Sequence, residues 1–368
     1  MSLHFSMSFP LRLAGTLLLA WLAAQACQAL HMPLPWMLGP LVAVSALSMA
    51  GAPTAQWAPL REWGHWVIGT ALGLYFTPQV VALVASKWWA IALGIVWAFV
   101  LGLAFGAFLR WMNRAQIASL GGLQARATIY CASTIGGTTE MVTLAEKLGG
   151  RADLVTAAHT LRLMVVVLLI PLAVTALGLR GIDASLPGAK VVALAAWPGF
   201  AGLALLTLAA ALLMQWRKLA NPWMMGPMLA SIVLTATGHE WSAMPPVLSN
   251  AAQLFIGASL GARFTPAFAH HAPRWMASVL LGVLAMLVAC AGFAWVLAQW
   301  TGLHPVSVML GTSPGGITEM AITAKVLQLG VPIVTAFHVT RMATVVLLAQ
   351  PVFYWIERWQ TKLAREPN

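Results

Sequence analysis

STIGGTTEM at residues 133–141 and TSPGGITEM at residues 312–320 are two versions of one segment. A second stretch keeps the same spacing. VTAAHTLR (155–162) returns as VTAFHVTR (334–341), again displaced by 179 residues (312 minus 133, 334 minus 155). Each copy breaks an apolar run with a Gly-Gly pair and then places one Glu, one His and one Arg in register. Paired glycines weaken a helix and let the chain change direction. The segment therefore predicts a broken helix, used twice.

The surroundings set the solvent in which that break must exist. The chain is 60% hydrophobic and 8% charged, carries 18 Trp and has a mean hydropathy of +0.84. A soluble protein needs a more highly charged surface. Apolar stretches recur at 13–30, 64–85, 88–109, 154–179, 190–215, 275–299 and 331–356. Each is long enough to cross roughly 30 Å of hydrocarbon as a helix. The stretches lack the two-residue alternation of barrel strands, which leaves helices as the spanning element. The expected fold is an all-α polytopic membrane protein. Shorter segments at 36–50 and 223–237 are near the minimum spanning length, and Trp36, Trp223 and Trp88-Trp89 suit interfacial anchoring.

The formal charge of +11 lies mostly in short turns between apolar segments. That is a membrane topology bias rather than a basic patch, so no nucleic-acid partner is expected. Cys27, Cys131 and Cys290 are isolated and read as apolar filler, with no metal spacing. The run from Arg12 to Ala26 has features of a signal peptide, but it continues to Leu30 and has a counterpart at 190–215. It reads as an uncleaved first helix.

The duplication extends over nearly the whole chain. PWMLGP (35–40) matches PWMMGP (222–227), and IGTALGLYFTP (68–78) matches IGASLGARFTP (256–266). One membrane repeat falls within 1–180 and the other within 181–368, joined by the polar turn 180–190, and the two form one membrane domain. Each half divides into six segments. Segment a is 11–30 or 190–215, b is 36–51 or 222–237, and c is 64–85 or 250–269. Segment d is 88–110 or 275–300, e is broken at Gly136-Gly137 or Gly315-Gly316, and f is 152–179 or 331–356.

The basic loops fall on opposite parity in the two halves. Arg61, Arg110 and Arg114 follow b and d in the first; Arg217, Lys218 and Arg274 follow a and c in the second. With cations inside, the halves enter the membrane in opposite directions. Two inverted-topology repeats then each have about five transmembrane helices plus a Gly-Gly-broken or re-entrant segment e. This gives ten crossings with both termini cytoplasmic. Making b re-entrant and e a broken crossing helix gives the same count. Twelve full crossings with parallel repeats is the alternative.

Segment e carries the candidate chemistry. Irregular backbone at membrane depth survives only inside protein or along a wet cavity. The breaks at Gly136, Gly137, Gly315 and Gly316 free backbone groups at the start of a half-helix, beside the Thr139 and Thr318 hydroxyls. Glu140 and Glu319 add carboxyls in its first turn. An intramembrane acid is costly and marks a functional site by default; the structural alternative is that it caps the half-helix or neutralises an Arg. Thr156, His159 and Arg162 share one helical ridge, as do Thr335, His338 and Arg341. The competing role is a snorkelling Arg and a packing His. Phe76-Thr77-Pro78 and Phe264-Thr265-Pro266 should terminate segment c. Gly39-Pro40 and Gly226-Pro227 suit a kink or close packing, Gly102 and Gly106 form a GxxxG, and His270-His271 lacks metal-site spacing.

The two Gly-Gly-x-Thr-Glu-Met segments, the two Val-Thr-Ala-x-His-x-x-Arg segments and the two Pro-Trp-Met-x-Gly-Pro segments together resemble the AbrB-type bacterial integral membrane protein family. The resemblance covers almost the full chain. Ile135 stands where the second copy has Pro314, and an extra polar stretch, 113–126, precedes the first break. Similar proteins often carry an ammonia monooxygenase label, and one is described as a regulator of gene expression. A copper oxygenase needs clustered ligands, whereas the histidines here are scattered, so no enzyme activity, metal or cofactor is expected. The leading expectation is a secondary transporter of a small polar or anionic solute, with Glu140 and Glu319 moving a proton or ion. A membrane sensor acting indirectly on gene expression is the second. The expected partners are the lipid bilayer and a small-molecule solute, with homo-oligomer formation left open.

Overall fold

The computed structural model describes residues 8–179, 197–264 and 273–363. The turn 180–190, Thr265-Pro266, His270-His271, Arg365 and Glu366 lie outside the described residues. Within them every regular element is a helix. The first half forms α1 (Phe9–Ala29), α2 (Pro35–Met49), α3 (Ala58–Gly73), α4 (Pro78–Ser86), α5 (Trp88–Met112), α6 (Arg114–Ala118), α7 (Gly122–Ser133), α8 (Thr138–Lys147) and α9 (Ala152–Ala176). The second half forms α10 (Trp197–Trp216), α11 (Pro222–Ala236), α12 (Pro246–Gly261), α13 (Pro273–Thr301), α14 (Pro305–Thr312), α15 (Ile317–Val326) and α16 (Val331–Leu363).

Among the described residues six helices are long and apolar enough to cross a membrane: α1, α5, α9, α10, α13 and α16. They are segments a, d and f of each half. Their outer faces carry exposed Leu18, Leu22, Val96, Val100, Leu281, Val288 and Leu347. Such continuous apolar exposure suits a hydrocarbon solvent and not water.

Segment c departs from the expected continuous span. The stretch 64–85 is divided into α3 and α4, which meet at 87°. Pro78 opens α4 as its first residue; with no N–H to donate, it cannot continue the ladder of α3. The proline thus ends segment c as the sequence indicates, and the apolar residues beyond it form a separate short helix.

Two compact units emerge; segments a to c of both halves fall in the first and segment d of both in the second, while e and f divide unequally. The first gathers α1–α4, α9 from Val167 onward, α10–α12 and α15 from Thr318. Here α2 packs on α12, and α11 packs on α3. Close approach is the reason for the glycines. A Cβ on Gly69 would come within 2.5 Å of the Met224 carbonyl oxygen, and one on Gly257 within 2.5 Å of the Met37 carbonyl oxygen. One turn later Gly73 faces Met228, and Gly261 faces Leu41. Both contact series ascend together, so each b helix runs parallel to the c helix of the opposite half. Gly39 and Gly226 likewise press on Ala23 and Ala210, at 2.6 and 2.7 Å by the same measure. Small residues that let backbones approach are what holds helices together where no hydrophobic driving force acts between them.

Backbone shape follows the same pairing. Leu34 and Asn221 both have φ 49° immediately before the prolines that open α2 and α11, and His31 and Lys218 both have φ 53°. These are left-handed conformations that a non-glycine residue adopts only when its surroundings demand it.

The second unit gathers α5–α8, α9 up to Val166, α13, α14 and α16 from Ile333. Lys87 Nζ donates to the Thr301 carbonyl at 2.7 Å, and Asn113 donates to Ser278 Oγ at 2.8 Å. Between them the rings of Trp97 and Phe293 stack 4.5 Å apart. Partner numbers fall as α5 numbers rise, so α5 and α13, the two d helices, are antiparallel. Gly102 and Gly106 seat the end of α7; a Cβ on Gly106 would lie 2.9 Å from Ser133 Oγ.

Candidate functional site

The breaks sit in the second unit. Helix α7 ends at Ser133, the chain runs extended through Thr134, and α8 begins at Thr138 after the Gly-Gly pair. The second copy repeats this, with α14 ending at Thr312 and α15 starting at Ile317. A helix that stops inside a protein leaves carbonyl groups without intrahelical partners. The ridge of His and Arg supplies them.

In the first copy, His159 Nε2 lies 2.9 Å from the Cys131 carbonyl oxygen, and Arg162 donates to the Thr134 and Gly136 carbonyls at 3.1 and 3.4 Å. The same guanidinium reaches His159 Nδ1 at 3.0 Å. In the second copy His338 Nε2 lies 2.9 Å from the Leu310 carbonyl oxygen, and Arg341 donates to the Ser313 and Gly315 carbonyls at 2.6 and 2.9 Å. Arg341 also reaches His338 Nδ1, at 2.8 Å. A guanidinium only donates, so each Nδ1 accepts and each Nε2 carries the ring proton and donates to the carbonyl. Both histidines are neutral in this arrangement, and neither ring nitrogen is left for another ligand.

His159, Arg162, His338 and Arg341 are all buried. Among the described residues of this unit, no carboxylate forms an ion pair with either arginine. The carbonyl ends of α7 and α14 take that place, since a helix C-terminus carries partial negative charge. The two guanidiniums also lie within electrostatic reach of each other. Arg162 Nε is buried with no hydrogen-bond partner. Two buried cations thus stand at two helix breaks, with helix dipoles to compensate them among the described residues.

The other sequence-selected residues divide between the copies. Glu140 is partly buried in the first turn of α8, folded back so that a side chain on Gly137 would strike its carboxyl. Gly136 is held close to Val345 and Met141. Thr139 is exposed, whereas Thr318 is buried. Gly315 and Gly316 belong to the second unit, and Thr318 and Glu319 to the first. Within that first unit, Glu319 lies in electrostatic reach of Arg263. Thr156 turns to solvent and bonds the Ala152 carbonyl, while Thr335 is buried with an unpartnered hydroxyl. The ridges therefore agree in His and Arg and differ in Thr.

Sequence reading missed the acceptors, because backbone carbonyls carry no residue signature. It also missed how the first break is fixed from the side. Tyr130 donates to the Ala349 carbonyl at 2.7 Å and packs on Phe353, and Arg126 pairs with Glu357 at 2.6 Å. All three contacts run from α7 to α16, the f helix of the opposite half. Arg126 and Glu357 stood in the sequence as two charges 231 residues apart (357 minus 126), with no signal joining them.

Comparison with known proteins places this arrangement in a family. The chain is 26% identical over 339 residues to a protein of Escherichia coli (strain K12) named "Putative regulator AbrB", covering 91% of this chain and 93% of that protein. It is 23% identical over 340 residues to "Uncharacterized protein YhjN" of Bacillus subtilis (strain 168), covering 86% of each. A family model described as transition state regulatory protein AbrB matches residues 36–357, a range that contains both breaks and both His–Arg ridges, and the chain belongs to that family.

Proposed function

We propose that this protein is a multi-pass inner-membrane secondary transporter for a small anionic solute, not an enzyme. The observation that carries this reading is the pair of buried arginines, Arg162 and Arg341, which have no ion-paired carboxylate among the described residues of their unit. A buried charge without a counter-charge is costly in a membrane interior. An anion arriving at the breaks would supply the missing charge, and Arg162 Nε offers an unused donor. Broken helices with exposed backbone groups are a recurring device for such sites in transporters. Glu140 and Glu319 are the groups we assign to proton or ion coupling.

The topology we assign is inverted. Antiparallel d helices and b helices parallel to the opposite c helix are what two oppositely inserted repeats would produce; repeats inserted in the same sense would reverse both relationships. Six long helices together with α2, α3, α11 and α12 make ten crossings. With the basic loops inside, we assign both termini to the cytoplasm.

The name of the Escherichia coli relative favours a second reading, a membrane sensor that binds its solute without moving it. Flux separates the two. Purified protein in proteoliposomes is tested with a labelled monocarboxylate, a dicarboxylate and inorganic phosphate under an imposed pH gradient. Saturable uptake of one of them supports transport. Binding without uptake above protein-free liposomes rejects it in favour of the sensor.

A further inference from the structure

A cavity of about 350 Å³ lies in the second unit among α5, α6, α7 and α16, and neither Arg162 nor Arg341 lines it. Its wall carries Arg110, Arg114 and Arg126 against a single acid, Glu357. Three guanidiniums and one carboxylate leave it with two net positive charges. Arg110 lies in the last turn of α5 and Arg114 opens α6, and neither has an ion-pair partner among the described residues. Glu357 is engaged with Arg126 at 2.6 Å. Trp111, largely exposed, also lines the cavity, and suits the interfacial depth of a bilayer.

We propose that this cavity binds a phosphate-class dianion or phosphodiester, delivered either as a free solute or as the headgroup of an anionic lipid. The forked guanidinium matches phosphate oxygens in pairs, and phosphate draws stronger hydrogen bonds from arginine than a neutral acceptor does. The bound group would sit against Arg110 and Arg114 and compete with Glu357 for Arg126. Arg126 lies on α7, the helix that ends at the first break, so occupancy is positioned to act on the break through the α7–α16 contacts. Basic pockets between membrane helices on a cytoplasmic face hold headgroups by this chemistry. The proposal does not depend on transport, and it stands or falls on binding alone.

The test uses the purified full-length protein in a neutral detergent. One arm titrates inorganic phosphate against chloride at matched ionic strength and reads the thermal midpoint. The other reads retention of phosphatidylglycerol over phosphatidylcholine by native mass spectrometry. Stabilisation by phosphate identifies a soluble ligand; selective retention of phosphatidylglycerol identifies the headgroup. In either arm R110Q with R114Q should weaken binding about tenfold or more. E357Q, which removes the competing carboxylate, should strengthen it several-fold, and it keeps the test decisive if the arginine variant does not fold. No response in either arm, or affinity unchanged in E357Q, overturns the assignment.

Discussion

Arg341 donates to the Gly315 carbonyl oxygen at 2.9 Å, tying helix α16 to the break in the second copy. Arg162 makes the same bond to Gly136, longer at 3.4 Å. A glycine pair alone would leave the break loose. The arginine one helix further on fixes its path, and the neutral histidine between them keeps the guanidinium aimed.

Truncating the clamp should therefore destabilise the fold. R341M removes two short charged bonds and leaves buried carbonyls unpaired, a loss of about 3 kcal/mol. R162M, whose bonds are longer, should cost less. R341K should recover little, because an ammonium cannot reach both carbonyls and His338 in the planar fork that Arg provides. Thermal unfolding midpoints of the purified proteins rank the three. Equal midpoints for parent and R341M would remove the clamp from the account.

The glycines of the first unit should behave as matched pairs. G69A and G257A each push a Cβ to within 2.5 Å of a carbonyl oxygen on the facing helix. Each should lower stability by about 1–3 kcal/mol. G15A on α1 meets nothing within 4 Å and serves as the neutral comparison. If G69A is as stable as G15A, the close approach of α3 and α11 is not what holds them.

Proton coupling makes a prediction on the two acids. E140Q and E319Q preserve shape and remove the titrating carboxyl. Each should flatten the pH dependence of uptake while leaving the protein folded. Glu319 stands within electrostatic reach of Arg263. Parent-like pH profiles in both variants would show that the carboxyls only cap their half-helices.

Topology is testable without a substrate. Single cysteines at positions 62 and 240, placed in a variant lacking Cys27, Cys131 and Cys290, should label from opposite faces of the membrane. Labelling of both from one face contradicts oppositely inserted repeats.

Much of this architecture could be read from the residues. Among the described residues apolar length gives segments a, d and f nearly to their ends, with 190–196 lying outside them, and Pro35 and Pro222 mark the starts of α2 and α11, since proline suits a first helical turn. Segment c was read too long because apolar composition continued past Pro78 while the backbone could not. At the site, the register of Gly-Gly, His and Arg was visible, but their relationship was not. His159 and Arg162 meet the carbonyls of Cys131, Thr134 and Gly136, which any residue could have offered. The GxxxG of α3 carries no signal of its own, because Gly69 and Gly73 finish an apolar run whose partner, Met224, lies in the other half. The different placing of Glu140 and Glu319 is likewise hidden, because similar local sequence does not fix which neighbours a half-helix meets.

The central claim is that the two arginine-held breaks serve the movement of an anion. Counterflow tests it most directly: proteoliposomes are loaded with an unlabelled carboxylate or phosphate, and entry of the labelled form is followed with no other gradient. The account predicts a transient overshoot of label that E140Q or E319Q alters and protein-free liposomes lack. Specific binding of the anion to the protein with no overshoot for any member of the panel would contradict it.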